Sequence, residues 1–528
     1  MITIKKAAVV VPPIQDFYFT YHRFSALGAR IVHRILEKFV SSPLFYNFPL
    51  LKNKPLSAEI PEKLQYLEKF INENEYSKIS YFTKYKHFGP SICSCADEIL
   101  KEEINMCLIS CFAFCYSHTA IELAKQLKSR NKDILIIAGG SGVTAAPDFF
   151  LDSGVIDFVV LNEAEISLPM LLKAVIYNSI ALNSIPNIGW RNNNKNFFSE
   201  IKAFTTSADI EPAVSITEVK KNTVYLSTAL SRGCTFSCKF CSNRISQGSN
   251  FRTVNSDILK QEITILSEKL KDNKKHVFLN FEDDNILLDY EYLKKIIIHC
   301  RTQFKTISFS FENGIDYRLL TTERCQELIQ LGVRQFNFSI ATTNHSISNS
   351  EHRTSDFPTL DMLYRLINEK NVPVITYFIC GFPDDNYETI IKNLLFLYKT
   401  PGIIGISLFY AVPSLMNSEL INANKHCPYL FAGSSAFPWN KSLSTETLIS
   451  AFRLSRFVNL IKAVNQTESD KELIRHILEK KKLYTYVKDK KQVLQLAEVA
   501  HQDEILVNKF IKSLLQIYND IAKPSSNY

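Results

Sequence analysis

No apolar stretch in this 528-residue sequence reaches the ~18 residues that a membrane-spanning helix needs. The longest candidate, Leu394 to Leu415, is interrupted by Lys399 and Pro401. A signal peptide is not expected either: the apolar run after Met1 is short, ends at Pro12-Pro13 and reads as a buried strand. Charge of one sign is also missing, because 61 Lys and Arg are interleaved with 53 Asp and Glu, a net of only +8. A dedicated nucleic-acid surface is therefore not expected. There is no internal repeat or low-complexity tract. These absences predict a cytoplasmic, reducing location, where the 12 cysteines serve metals or packing rather than disulfides.

What is present is a strongly marked cysteine run. Cys234, Cys238 and Cys241 are spaced C-x-x-x-C-x-x-C and follow Val224–Gly233, which reads as a strand closed by an Arg-Gly breaker. Thiolates are the soft ligands that iron–sulfur clusters take, normally four of them. Three would hold three irons of a cubane and leave the fourth open, the mark of a catalytic rather than a closed structural site. Zinc would need a fourth ligand, and the next His or Cys is His276. A zinc site and three structural cysteines remain the alternatives.

The flanking sequence is organised in two alternating series. Up to about residue 205, strands at Ala7–Val11, Met106–Cys111, Asp133–Ala138 and Ile156–Val160 alternate with helices at Ser25–Val40, Ala120–Ser129 and Ala164–Tyr177, which predicts a doubly wound parallel sheet. Ligands of such sheets sit beyond the strands' carboxyl ends. Gly139, Gly140 and Ser141 fall at one such end, as a ligand-approaching turn or simply a tight one. Cys107, Cys111 and Cys115 read as buried thiols. A hairpin near Ile185–Trp190 and a linker lead to residue 222. From there strands ending near Phe281, Phe311, Ile340, Ile379 and Leu408 make six β/α units, short of the eight in a complete barrel. The polar groups Glu282, Asp283, Asp284, Ser310 and Glu312 all fall at carboxyl strand ends, as the cysteines do. From Pro413 an irregular segment and helices near 444–465, 469–483, 488–499 and 503–521 are expected.

This arrangement resembles the radical S-adenosylmethionine superfamily, with Phe240 in the family's usual aromatic place before the last cysteine. The resemblance implies a 4Fe-4S cluster on Cys234, Cys238 and Cys241, with S-adenosylmethionine chelated at the open iron. Glu282, Asp283 and Asp284 would accept from its amine, Ser310 and Glu312 would meet its ribose or methionyl part, and Arg353, with Arg252 a second candidate, would pair with its carboxylate. Ile134–Leu172 is similar to the cobalamin-binding domain that precedes the radical barrel in one large subfamily, which makes Gly139, Gly140 and Ser141 cofactor contacts. The implied domains are 1–205 (cobalamin-binding-like), 206–412 (partial radical barrel) and 413–528 (helical). Three departures stand out: Asn162-Glu163-Ala164-Glu165 replaces the usual Gly-Glu-Gly-Glu, no Asp-x-His occurs anywhere, and Ala341-Thr342 stands where Glu-Ser is common.

The expectation is thus a radical enzyme that cleaves S-adenosylmethionine to a 5′-deoxyadenosyl radical, for cobalamin-dependent methylation of an unactivated carbon. A non-methylating cyclisation, rearrangement or oxidation is the first alternative, and a non-catalytic iron–sulfur or zinc sensor the second. The expected partners are a small-molecule or peptide substrate and an electron donor such as flavodoxin or ferredoxin. No catalytic residue beyond the cluster ligands is legible.

Overall fold

The computed structural model describes residues 4, 6–20, 24–51, 54–71, 81, 82, 84–270, 275–416, 418–463, 509 and 512. Two seven-stranded sheets carry the architecture. In the first the order is Lys195–Phe198, Ile188–Asn192, Phe158–Val160, Leu135–Gly139, Met106–Ser110, Ala7–Val11, Leu44–Asn47. The last five run parallel, and the Ile188–Asn192/Lys195–Phe198 hairpin closes the other edge antiparallel.

Alternation along Ala7–Val11 shows why this sheet is covered on both faces. Ala7, Val9 and Val11 face a core built with Leu27, Ile31, Ile35 and Leu171, while Ala8 and Val10 face one built with Ile99, Leu123 and Leu127. Every residue of the strand is buried; each such valine contributes about 1.5–3 kcal/mol of apolar burial.

The second sheet runs in sequence order: Val214–Val219, Thr223–Thr228, His276–Phe281, Ile307–Ser310, Val333–Ala341, Val374–Cys380 and Ile403–Leu408. The first strand is antiparallel and the other six are parallel. This is the six-unit partial barrel that the alternation predicts, with two open edges and no closure among the described residues. The crossover helices begin where capping side chains sit: Asp289, Thr321, Asp356 and Asn386 each accept a backbone N–H from the first turn. Gly332, at φ 109°, ends the helix Thr322–Leu331.

The helix Thr445–Ala463 packs on the final strand and on Tyr387–Lys399. Its Asn459 accepts from Ile404 N at 2.7 Å and donates to Ile404 O at 2.8 Å, so a side-chain amide imitates a neighbouring strand at the open edge. Of the helices expected at 469–483, 488–499 and 503–521, only Lys509 and Lys512 fall among the described residues, both of them helical. Among the described residues no helix is long and apolar enough to cross a membrane.

Six elements differ from the sequence expectation. Val214–Val219 is a paired edge strand, not linker; its mixed Ser, Thr and Glu composition reflects exposure on one side. Leu44–Asn47 is an edge strand in a Pro- and Asn-containing stretch. The charged stretch near 61–73, whose composition predicts an α-helix, is a 3-10 helix over Glu62–Phe70. Ile14–Asp16, Leu56–Ser57 and Lys86–Phe88 form a small separate sheet too short for any periodicity.

The helix Leu27–Glu37 joins the two units. Arg30 Nε donates to Ser215 Oγ at 2.8 Å, and Arg34 reaches Pro212 O at 2.8 Å and Glu262 at 2.7 Å.

Candidate active site

The carboxyl ends of the two sheets border one cavity of about 810 Å³. Its walls include Ser110, Gly139, Gly140 and Ser141 from the first unit and Arg232, Glu282, Asp283, Asp284 and Glu312 from the second. None of the described lining residues is His, Cys or Met. Gly140 (φ 108°) needs to be glycine chiefly because a Cβ there would lie 2.5 Å from Cys111 O. The glycine run thus serves the crossing of neighbouring strand ends and at the same time forms part of the cavity wall.

The cysteine run leaves the strand Thr223–Thr228 and ends at the short helix Asn243–Ser246. Gly233 (φ 77°) makes the turn into it, with its missing Cβ 2.3 Å from Asn250 O. Cys234, Cys238 and Cys241 are free thiols, neither exposed nor fully buried. Of the other nine, eight are buried and Cys93 is exposed; Cys107, Cys111 and Cys115 are packing thiols. Burial raises the Cys238 thiol against the opposing charges of Arg353 and Arg318, and raises Cys241 to about 11. Among the described residues no three His, Cys, Asp or Glu side chains converge as ligands of a single ion would.

The acidic loop after His276–Phe281 grips the cysteine loop. Asp283 Oδ1 accepts from Leu230 N at 2.9 Å and Ser231 Oγ at 2.5 Å. Asp284 accepts from Gly233 N at 3.0 Å and from Asn243 Nδ2 at 2.6 Å. Glu282 accepts from Ser25 Oγ, in the first unit, at 2.7 Å. Burial raises all three carboxyls, Asp283 to about 7. Bracing the cysteine loop is a duty that motif position alone did not assign to Asp283 and Asp284.

The remaining expected residues are placed as follows. Asn280 Oδ1 accepts from Ser310 Oγ at 3.4 Å and Glu312 N at 2.8 Å; Glu312 lines the cavity and Ser310 does not. Arg353 is held by Asp316 at 2.9 Å and by Ser339 O at 3.1 Å, so its guanidinium faces Cys238 as part of a braced pair with Arg318. Burial would raise Asp316, but its bonds to Arg318 and the Arg353 charge hold it below its ordinary value. Phe240 packs edge-on against Phe382 at 5.4 Å. Arg252 pairs with Glu163 at 2.8 Å. The Asn285 amide lies 3.8 Å from Cys234 Sγ and the Arg318 charge lies beside Cys238, contacts that no spacing rule marks.

Comparison with known proteins agrees with this geometry. Residues 228–397 match the Radical SAM superfamily. The bacteriochlorophyllide d C-12(1)-methyltransferase of Chlorobaculum tepidum is 24% identical over 209 residues, covering 37% of this chain and 44% of that protein. An uncharacterized methyltransferase of Pyrococcus horikoshii is 23% identical over 306 residues, 53% of this chain and 61% of that one. The chain thus spans about half the length of the curated relatives it matches. The structure of apo OxsB, a cobalamin-dependent S-adenosylmethionine radical enzyme, aligns with TM-score 0.61 at 13% identity over 98% of this chain and 81% of that one. The radical S-adenosylmethionine methyltransferase TsrM of Kitasatospora setae, with cobalamin and a 4Fe-4S cluster bound, aligns with TM-score 0.56 at 12% identity, covering 78% and 74%. At these identities the structural likenesses speak to the fold.

Proposed function

We propose, from the premise that residues 228–397 are a Radical SAM domain, that this chain is a cobalamin-dependent radical S-adenosylmethionine methyltransferase acting on an unactivated carbon. The observation that carries the reading is the cavity itself: the cysteine loop's acidic brace and the first unit's glycine run border the same space. When bound, the cluster supplies an electron, S-adenosylmethionine a 5′-deoxyadenosyl radical, and cobalamin a methyl group.

The residues present fit these groups. Three free thiols on one loop, with Arg318 and Arg353 beside Cys238, suit an anionic iron–sulfur cluster. The cavity is large on the scale of small-molecule sites, ~300–1,000 Å³, as a macrocycle requires. Cys234, Cys238 and Cys241 hold iron. Asp283 and Asp284 fix the loop, Glu282 and Glu312 offer acceptors to the amine or ribose of S-adenosylmethionine, and Gly139, Gly140 and Ser141 form a wall against cobalamin. We assign residues 1–205 to cobalamin, 206–412 to the radical step and 413–528 to capping, with an external flavodoxin- or ferredoxin-type donor supplying the electron. The substrate is a small molecule or peptide entering the shared cavity.

The test is co-elution of added cobalamin with anaerobically reconstituted protein, followed by cobalt absorbance. Stoichiometric retention is expected. Failure to retain it removes methyl transfer and leaves the radical step. A non-methylating outcome of the same radical step is the second reading.

A further inference from the structure

Three consecutive side chains at the end of one strand each hold a different piece of the cysteine loop. Asp283 takes the approach, at Leu230 and Ser231. Asp284 takes both ends, at Gly233 just before the first cysteine and Asn243 just after the last. Asn285 alone of the three reaches a sulfur: its Nδ2 lies 3.8 Å from Cys234 Sγ.

Several features fix that contact. Asn285 is only 6% exposed, and its Oδ1 is buried without a hydrogen-bond partner. The residue is extended (φ −164°) and leads into the turn Ile286–Asp289, whose Ile286 and Leu287 are buried in the main core. Its carbonyl accepts from Leu288 N at 3.2 Å. The side chain therefore starts from an anchored backbone. An amide turned the other way would aim its oxygen at an anionic sulfur, so a metal-bound thiolate selects the N–H orientation.

We propose that Asn285 donates an N–H···S hydrogen bond to Cys234 as a cluster ligand and thereby raises the cluster's reduction potential. Donors to cluster sulfurs withdraw electron density and stabilise the reduced, more negative state. Asn285 is a positioning and tuning residue; it touches neither substrate nor reacting atoms. Its placement brings a low-potential couple closer to what a flavodoxin- or ferredoxin-type donor supplies. The inference rests on the cluster reading of the three cysteines and is independent of cobalamin.

The test uses the full chain, anaerobically reconstituted, as wild type, Asn285→Leu and Asn285→Asp. Iron and sulfide content come first, then an EPR-monitored redox titration. Both variants are expected to load the cluster and to show a downward shift of the midpoint, larger for Asn285→Asp, which removes the donor at constant shape and adds negative charge. Equal midpoints in loaded wild type and variants overturn the proposal. If Asn285→Leu fails to fold, Asn285→Asp decides. A measurement on unmutated protein decides independently: with asparagine 15N-labelled in the side chain, the reduced cluster is expected to show hyperfine coupling to an amide nitrogen, and its absence overturns the proposal. Wild type that takes up no iron and sulfide defeats the cluster reading itself; a loaded wild type with unshifted variants defeats only the role of Asn285.

Discussion

Glu163 and Arg252 form an ion pair of 2.8 Å across the junction of the two sheets, with side chains only 5% and 9% exposed. Thr205 completes it: its N and Oγ1 each donate to Glu163 at 2.9 Å, and its carbonyl accepts from Arg252 at 2.7 Å. The pair ties the start of the helix Ala164–Tyr177 to the strand that flanks the cysteine loop. Removing one partner leaves a buried charge alone. Glu163→Gln and Arg252→Met are each expected to cost about 3–5 kcal/mol, and the double variant less than their sum. Denaturant titration of the iron-free protein measures this.

Asn162 adopts φ 62°, in the left-handed region, and donates from its side chain to Ile245 O at 2.5 Å. After glycine, asparagine is the residue that best tolerates that backbone. Asn162→Ala is expected to lose about 1–2 kcal/mol from backbone strain, and Asn162→Gly to lose less. Thermal melts of the two variants check the order.

The Asp283 carboxyl is raised by burial from 3.8 to about 7. A raised folded-state value means the folded protein holds the proton more tightly than the unfolded chain. The stabilisation is complete below about pH 4 and is lost as pH rises toward 7. Asp283→Asn keeps an acceptor for Leu230 N and Ser231 Oγ but does not titrate. In iron-free protein it is expected to flatten stability between these values and to match or exceed wild type at pH 8, measured by denaturant midpoints across the range.

Cys234→Ala, Cys238→Ala and Cys241→Ala are each expected to abolish most bound iron and the broad charge-transfer absorbance after reconstitution. Cys93→Ser, an exposed thiol outside the loop, is expected to load as wild type. Iron analysis with visible spectra separates the two groups.

Much of this was legible in residue order. The Ala-Ala-Val-Val-Val strand and the β/α alternation after residue 222 announce the two sheets, because fully buried strands and amphipathic helices leave strong periodic signals. The cysteine spacing announces the loop. The Val214–Val219 edge strand was hidden because half-exposed edges carry polar residues. Asp283 and Asp284 were legible as strand-end acids, but not as acceptors for Leu230 and Gly233, which are about fifty residues earlier. Arg353 was legible as a cation and not as a partner of Asp316. Such pairings depend on which loops the sheet brings together, and sequence distance does not encode that.

The most direct test of the account is S-adenosylmethionine cleavage by the anaerobically reconstituted, reduced full chain. The account predicts 5′-deoxyadenosine in wild type and none in Cys234→Ala. Wild-type protein carrying its cluster and producing no 5′-deoxyadenosine would contradict it.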